Sequence, residues 1–331
     1  MEKNMATDEQ VYKRAKRAFK LSLPKSSGLV WVLLGLCVIA TILSPAFLSQ
    51  ANMTNVFRQI ALYGFVSIGM TFVILTKGID LSVGSIIGVC AVTTALLLGQ
   101  GWPIALAVPA VLLVGIIMGV ISGVGIAVFQ IPPFIMTLGM MVMGRGLALT
   151  LANGQPISLG SRAMEFSWLG RGMVAGVPVP VIVFALAAAI AFFVLRYTAY
   201  GRQVFAVGSN SEAARLSGIN VTLVTFSVYV VSAFLAALTA LIFVSRLTVG
   251  EPTAGTGIEL EAIAITVIGG TSLFGGEGGI IGTIIGTAIL SVLANIMNLV
   301  GISPFTQQIV KGAIIVVAVL YEMLRRRKGR F

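Results

Sequence analysis

The chain reads as an all-α, polytopic membrane helix bundle of about ten transmembrane helices, each needing around 20 apolar residues. Three observations predict this. Mean hydropathy is +1.03 with 57% hydrophobic and only 10% charged residues, too little charge to cover a water-soluble domain of 331 residues. The basic residues are concentrated at the two ends. Seven of the 22 Lys and Arg precede residue 29 and five follow residue 324. Between those ends, apolar runs alternate with short breaks rich in Gly, Pro and polar residues.

The formal charge of +11 does not indicate nucleic acid, because its distribution follows the positive-inside rule and puts both termini in the cytoplasm. Residues 7–22 suit an amphipathic helix on anionic lipid headgroups and equally a disordered basic tail. The next apolar run is too long for a signal peptide, lacks a cleavage site and is followed by further spans. The domain reading is a basic tail or interfacial helix over 1–28, a transmembrane domain over 29–324, and a basic tail over 325–331.

Taken in order, the spans fall near 29–47, 56–76, 82–99, 103–128, 134–152, 181–196, 224–244, 258–274, 279–300 and 304–324. Trp102-Pro103 marks a turn at headgroup depth, and Pro132-Pro133 breaks the chain at the opposite face. Residues 153–180 form the longest external segment. An even number of spans agrees with basic residues at both ends. Glycine is patterned as well as abundant. Gly115, Gly119 and Gly123, and again Gly278, Gly282 and Gly286, recur every fourth residue, the spacing by which membrane helices approach closely. The adjacent Met140, Met141 and Met143 read as packing filler.

Histidine is absent, so imidazole metal sites and histidine catalysis are excluded. Cys37 and Cys90 lie in apolar runs without ligand spacing and read as buried hydrophobes. No phosphate-binding G-x-x-x-x-G-K-[ST] pattern occurs. The chain is therefore read as a non-enzyme with no metal or cofactor of its own, and any ATP hydrolysis belongs to another polypeptide.

Two stretches interrupt apolar spans with polar and glycine residues. One runs from Lys77 to Ser85 and carries Asp80, Ser82 and Gly84. The other contains Glu251, Glu259 and Glu261 and continues through Thr271 and Ser272 to Gly278. Interrupted helices at corresponding places in two halves point to a translocation site. G-I-D-L at Gly78–Leu81 returns as G-I-E-L at Gly257–Leu260, on opposite faces of this topology, as an inverted repeat requires. Asp80, Ser82, Gly84, Ser85, Glu259, Glu261, Thr271 and Ser272 are the pathway candidates. Arg145 and Lys311 fall within spans, where a lone cation costs roughly 2.5–3.5 kcal/mol. Both are expected to face the interior, at least one pairing with Glu259 or Glu261.

The most informative polar stretch is the loop 197–222. Ser209 and Glu212 have capping-box spacing, and Gly218 supplies a left-handed stop. Between them Ser211, Ala213, Ala214, Arg215 and Leu216 make about two helical turns, too short to persist undocked, with Ile219 following. An ordinary capped surface loop is the plain alternative.

This spelling, Glu212-Ala213-Ala214 and then Gly218, resembles the E-A-A-x-x-x-G loop of bacterial ABC import permeases, where it forms the helix that docks on the cytoplasmic ATPase. The wider G-R-Q-V-F-A-V-G-S-N-S-E-A-A-R-L-S-G-I-N is similar to the ribose-type sugar permeases. So are G-I-D-L-S-V-G-S, P-T-A-G-T-G, G-G-T-S-L-F-G-G and I-S-P-F-x-Q ending at Gln307, a resemblance covering most of 45–320. The I-x-L-P pattern of maltose-type permeases is missing. The resemblance implies an inner-membrane subunit importing a simple sugar or sugar-like solute, paired with a second permease copy or homologue. It also implies ATPase subunits that hold ATP and Mg, and a solute-binding protein outside. A branched-chain amino-acid permease of the same architecture is the nearest alternative. An ion-coupled carrier is the rival from another class, and it would need functional intramembrane charges.

Overall fold

The computed structural model describes residues 27–328; the surface helix read over 7–22 lies outside them. Helices dominate. In chain order they are α1 (Ser27–Leu43), α2 (Gln50–Leu75), α3 (Val83–Gly99), α4 (Ile104–Ala127) and α5 (Pro133–Leu151), then the single-turn α6 (Ala163–Phe166) and α7 (Trp168–Arg171). There follow α8 (Val179–Tyr197), α9 (Ala199–Ser209), α10 (Ser211–Leu216), α11 (Val221–Leu247), α12 (Ile258–Ile268), α13 (Ile280–Leu299) and α14 (Pro304–Lys328). Among the described residues, six helices are long and apolar enough to cross a membrane: α2, α4, α5, α8, α11 and α13. The last helix continues through Lys328, into the stretch read as a tail.

All-helical is nearly accurate. Two small antiparallel ribbons interrupt it: β1 (Ile157–Ser158) with β4 (Val249–Gly250), and β2 (Met173–Val174) with β3 (Val177–Pro178). The first ribbon joins the long 153–180 excursion to the segment that follows α11. Both segments therefore lie at one end of the bundle, the Trp168 end. The Ser209 end lies opposite.

Helix α11 is the central post, packed on α4, α2 and α3. Its contact with α4 uses the predicted glycine ridge. A methyl group on Gly119 would stand 2.6 Å from the Ala233 methyl, and one on Gly123 would stand 2.8 Å from the Phe226 carbonyl oxygen. Backbones thus meet where side chains would otherwise hold them apart, and dispersion contacts hold the pair. The second ridge is used at Gly282 and Gly286, which abut the backbone of Gly269 and Ile265.

One expected span is not a continuous helix. Ile258–Ile268 has 11 residues, about 16 Å of helix and half a membrane core, not the 258–274 expected. Beyond Ile268, Gly270, Gly275, Gly276 and Gly278 all take positive φ, which ends helical winding. Before it, residues 251–257 pass along α3 as a series of tight turns, with Ala254 N–H bonded to the Glu251 carbonyl and Thr256 N–H to that of Thr253. Gly250 lies against Ala91 and Ala95, Pro252 against Gly88, and Gly255 against Gly84. The span is therefore half non-helical chain and half helix. Helix α3 mirrors it: residues 76–82 leave α2 at the Ser209 end and run extended to Asp80, which reaches Ser232 of α11. Ser232 lies 11 residues into α11, about 16 Å from its first residue.

The glycine ridge yields a test. Gly119→Val should cost about 1–3 kcal/mol by overpacking, whereas Gly139→Ala, which meets no neighbour within 4 Å, should be neutral or slightly stabilising. Thermal unfolding of the purified protein in detergent reads both.

Candidate functional site

The two non-helical segments meet inside the bundle, and α5 holds them there. Arg145 Nη1 donates to the carbonyls of Pro252 at 2.5 Å and Ala254 at 3.0 Å, and Nη2 donates to the Gly84 carbonyl at 3.2 Å. Two turns earlier, the Thr137 hydroxyl donates to the Ile79 carbonyl at 3.1 Å. One face of α5 thus satisfies carbonyls of both breaks, groups that would cost several kcal/mol each if left bare in a hydrocarbon core. A planar guanidinium suits this role because its fork addresses several acceptors at once. The Glu259 carboxylate lies against Gly84, close enough to Arg145 for electrostatic attraction. It also accepts the Gly257 N–H at 3.2 Å.

Asp80 is buried to 1% exposure. Its Oδ1 accepts from the Ser82 N–H at 3.0 Å and the Ser82 hydroxyl at 2.6 Å, and its Oδ2 accepts from the Ser232 hydroxyl at 2.8 Å. Ser85 donates to the Ser82 and Met140 carbonyls. Asp80, Ser82, Gly84, Ser85, Thr271 and Ser272 are all buried within the protomer, so they offer a solute no surface there. Asp80, Ser82 and Ser85 spend their polar atoms on hydrogen bonds that close the first break, whereas the buried Thr271 hydroxyl has no partner among the described residues. Exposed positions at the crossing are instead Thr253, Thr256 and Leu260, beside half-buried Glu259.

Lys311 of α14 forms an ion pair with Glu261 of α12. Tyr63 of α2 joins them in lining a small cavity and hydrogen-bonds Glu261. Arg145 takes carbonyl partners instead of a carboxylate hydrogen bond.

At the Ser209 end, the loop is built differently from its sequence reading. Residues 199–209 are themselves helical, with Gly201, Val204, Val207 and Gly208 buried at helical spacing. Ser209 therefore closes α9, its hydroxyl donating to the Phe205 carbonyl, and it is not the cap of α10. Asn210 is. Its backbone is extended (φ −156, ψ 104), and its side-chain Oδ1 accepts the N–H groups of both Glu212 and Ala213, each at 3.0 Å. Glu212 turns to Arg215 at 2.7 Å instead of back toward Ser209, so no capping box forms. That pair raises the Arg215 pKa above its ordinary value. The C-terminal stop is as expected. Gly218 has φ +82, its N–H reaches the Arg215 carbonyl, and the Ile219 N–H reaches that of Ala214, which is the Schellman pattern.

The structure also distinguishes the two faces of α10. Ala214 is 4% exposed and belongs to the protein's own core with Val204 and Val224. Leu216 is 80% exposed, flanked by exposed Ser211, Glu212, Ala213 and Arg215. Gly208 lies against the Leu75 carbonyl, and the Gly276 N–H donates to that same oxygen at 3.0 Å. Lys77 Nζ reaches the Ser209 carbonyl at 3.3 Å. A cleft lined by Lys77, Ser209, Leu273, Phe274, Gly275 and Glu277 opens beside them. The loop is thus fastened to the roots of both broken spans. Sequence reasoning missed Ser232, a lone hydroxyl in an apolar helix. It also missed Asn210, whose preference for N-caps could have found it once α9 was known.

Residues 52–319 match the family described as branched-chain amino acid transport system / permease component. The ribose import permease protein RbsC of Haemophilus influenzae is 43% identical over 86% of this chain and 89% of its own length. RbsC of Bacillus subtilis is 42% identical over 95% and 98%. The xylose transport system permease protein XylH of Escherichia coli is 33% identical over 94% and 98%. No solved structure matches the chain.

Two outcomes check this geometry. Asn210→Ala should weaken α10 by about 1 kcal/mol, seen as about fivefold faster hydrogen exchange at the Glu212 and Ala213 amides, while Ser209→Ala leaves them unchanged. Lys311→Met and Glu261→Gln should each lower the melting temperature, and the double variant should recover most of the loss, because a lone buried charge costs more than none.

Proposed function

Because the chain belongs to the branched-chain amino acid transport system / permease component family, and its relatives named above import ribose and xylose, we propose that it conducts a simple sugar inward as the membrane subunit of a binding-protein-dependent ABC importer. It is a permease and not an enzyme. Ion-coupled transport is disfavoured by the chain itself. Asp80 is held by two serines, Lys311 by Glu261 and Arg145 by three carbonyls. Each of these three charges thus has a structural partner.

The observation that carries the mechanism is the exposed Leu216 on a capped two-turn helix whose other face, Ala214, is rooted in the bundle. Leu216 gains its meaning from its place: it projects beside Glu212 and Arg215 from the helix whose spelling resembles the ATPase-docking loop of import permeases. In this reading Leu216 and Ala213 enter a groove on an ATPase that carries ATP and Mg, and Glu212 and Arg215 ring the contact. Load on α10 passes through α9 to Leu75, Gly276 and Lys77, where the interrupted spans begin. The Ser209 end and both termini face the cytoplasm. The Trp168 end receives a solute-binding protein, which sets most of the specificity. The buried polar set from Asp80 to Ser85, with Thr271 and Ser272, forms the pivot. A second permease subunit completes the path along Thr253, Thr256, Glu259 and Leu260. About ten membrane crossings result when α1, α3, α12 and α14 are counted with the six long helices.

Leu216→Asp should leave insertion and melting unchanged while abolishing solute-stimulated ATP hydrolysis in proteoliposomes that contain every partner. Ala214→Trp should instead lower the protein's own stability, since that site is occupied. Full hydrolysis and uptake with Leu216→Asp would overturn the docking role. Single cysteines at Ser161 and Asn210, in a background without Cys37 and Cys90, test orientation. An impermeant reagent on intact cells should label the first and spare the second.

A further inference from the structure

Three arginines converge at the Trp168 end with no carboxylate partner. Arg58 of α2 donates from Nη2 to the Arg171 carbonyl at 2.8 Å, and Arg171 donates from Nε to the Arg246 carbonyl at 2.6 Å. The Arg58 and Arg171 guanidiniums are close enough to Arg246 to repel it. Among the described residues, none of the three forms an ion pair. The acidic side chain of that excursion, Glu165, is taken by Arg162 at 3.0 Å. Three like charges gathered at the junction of α2, α7 and α11 oppose one another unless a counter-ion sits among them. A second observation is independent of charge: Arg58 Nε is buried and has no acceptor in the protein. A buried donor without an acceptor is costly, and here it lies within a cationic cluster that is open on one side, since Arg171 is exposed.

We propose that Arg58, Arg171 and Arg246 form a binding site for a phosphate oxyanion, borne by a phospholipid headgroup or by free phosphate. Guanidinium forks suit phosphate because each offers parallel donors to neighbouring oxygens. The setting also matches headgroup depth. Trp168, one turn from Arg171, is 59% exposed, and Met173, Val174 and Val177 beside it are exposed apolar groups. That mixture of indole, apolar and cationic side chains is the composition of a membrane interface. Bound phosphate would neutralise the cluster and lock the excursion onto the outer turns of α2 and α11. The site is independent of the transport reading above.

The test uses the full chain purified in uncharged detergent, with retained lipid counted by native mass spectrometry and melting followed on addition of phosphatidylglycerol or inorganic phosphate. The wild type should melt higher with phosphatidylglycerol, and Arg171→Gln and Arg58→Gln should each weaken that response about tenfold, the scale of one lost charge-assisted contact. Arg162→Gln, which removes a paired arginine, should respond as wild type. Arg171→Lys, which keeps charge but loses the fork, should fall between. A response to inorganic phosphate as large as to lipid assigns the site to the free ion; a response to lipid alone assigns it to the headgroup. Wild type and Arg171→Gln responding equally to both ligands would overturn the proposal. So would stabilisation by an acidic peptide with none by either phosphate ligand.

Discussion

The whole arrangement depends on one constraint, that backbone carbonyls inside an apolar bundle must find donors. Two spans give up helical hydrogen bonding over 76–82 and 250–257, and the freed groups need partners where water is scarce. Arg145 and Thr137, two turns apart on α5, supply them. Asp80 then acts as an acceptor for Ser82 and Ser232, joining the first break to the central helix α11. Remove this bonding and neither break could remain non-helical beside the other.

Close packing makes the crossing possible. Gly84 faces Gly255, Gly88 faces Pro252, and Gly250 faces Ala91 and Ala95. At each place the absence of a side chain lets a non-helical backbone lie directly on a helix, and Pro252, Ala254 and Gly84 come within reach of the Arg145 fork. The Gly115–Gly123 ridge performs the same service for α4 against α11. Polar satisfaction and small-residue packing are thus a single device: the glycines bring the carbonyls near enough, and α5 supplies the donors.

The two ends of the molecule are built for different tasks. At the Ser209 end, α9 and the glycine loop after α12 converge on the Leu75 carbonyl through Gly208 and Gly276, a dense joint near an exposed Leu216. At the Trp168 end, short ribbons and single-turn helices tie the excursion to α3 and α11, with uncompensated arginines between them. A rigid joint suits transmission of movement, and a polar platform suits recognition.

Much of this was legible in the sequence by itself. Hydropathy, the basic ends and the recurring glycines determined a polytopic helical membrane protein, because apolar length and charge placement act locally. G-I-D-L and G-I-E-L marked both breaks, and E-A-A-R-L-S-G marked the short helix α10 with its left-handed stop at Gly218. Only the tertiary structure decided which side chains serve the breaks. Arg145 lies 61 residues from Gly84 and 107 from Pro252, and no local pattern encodes that choice. It also decided that Asp80 and Ser85 are sealed inside, that Ala214 faces inward while Leu216 faces out, and that Asn210 caps α10. Those outcomes depend on where α9 ends and on what packs against each face. They are properties of neighbours brought from distant parts of the chain, and a residue's own sequence surroundings do not carry them.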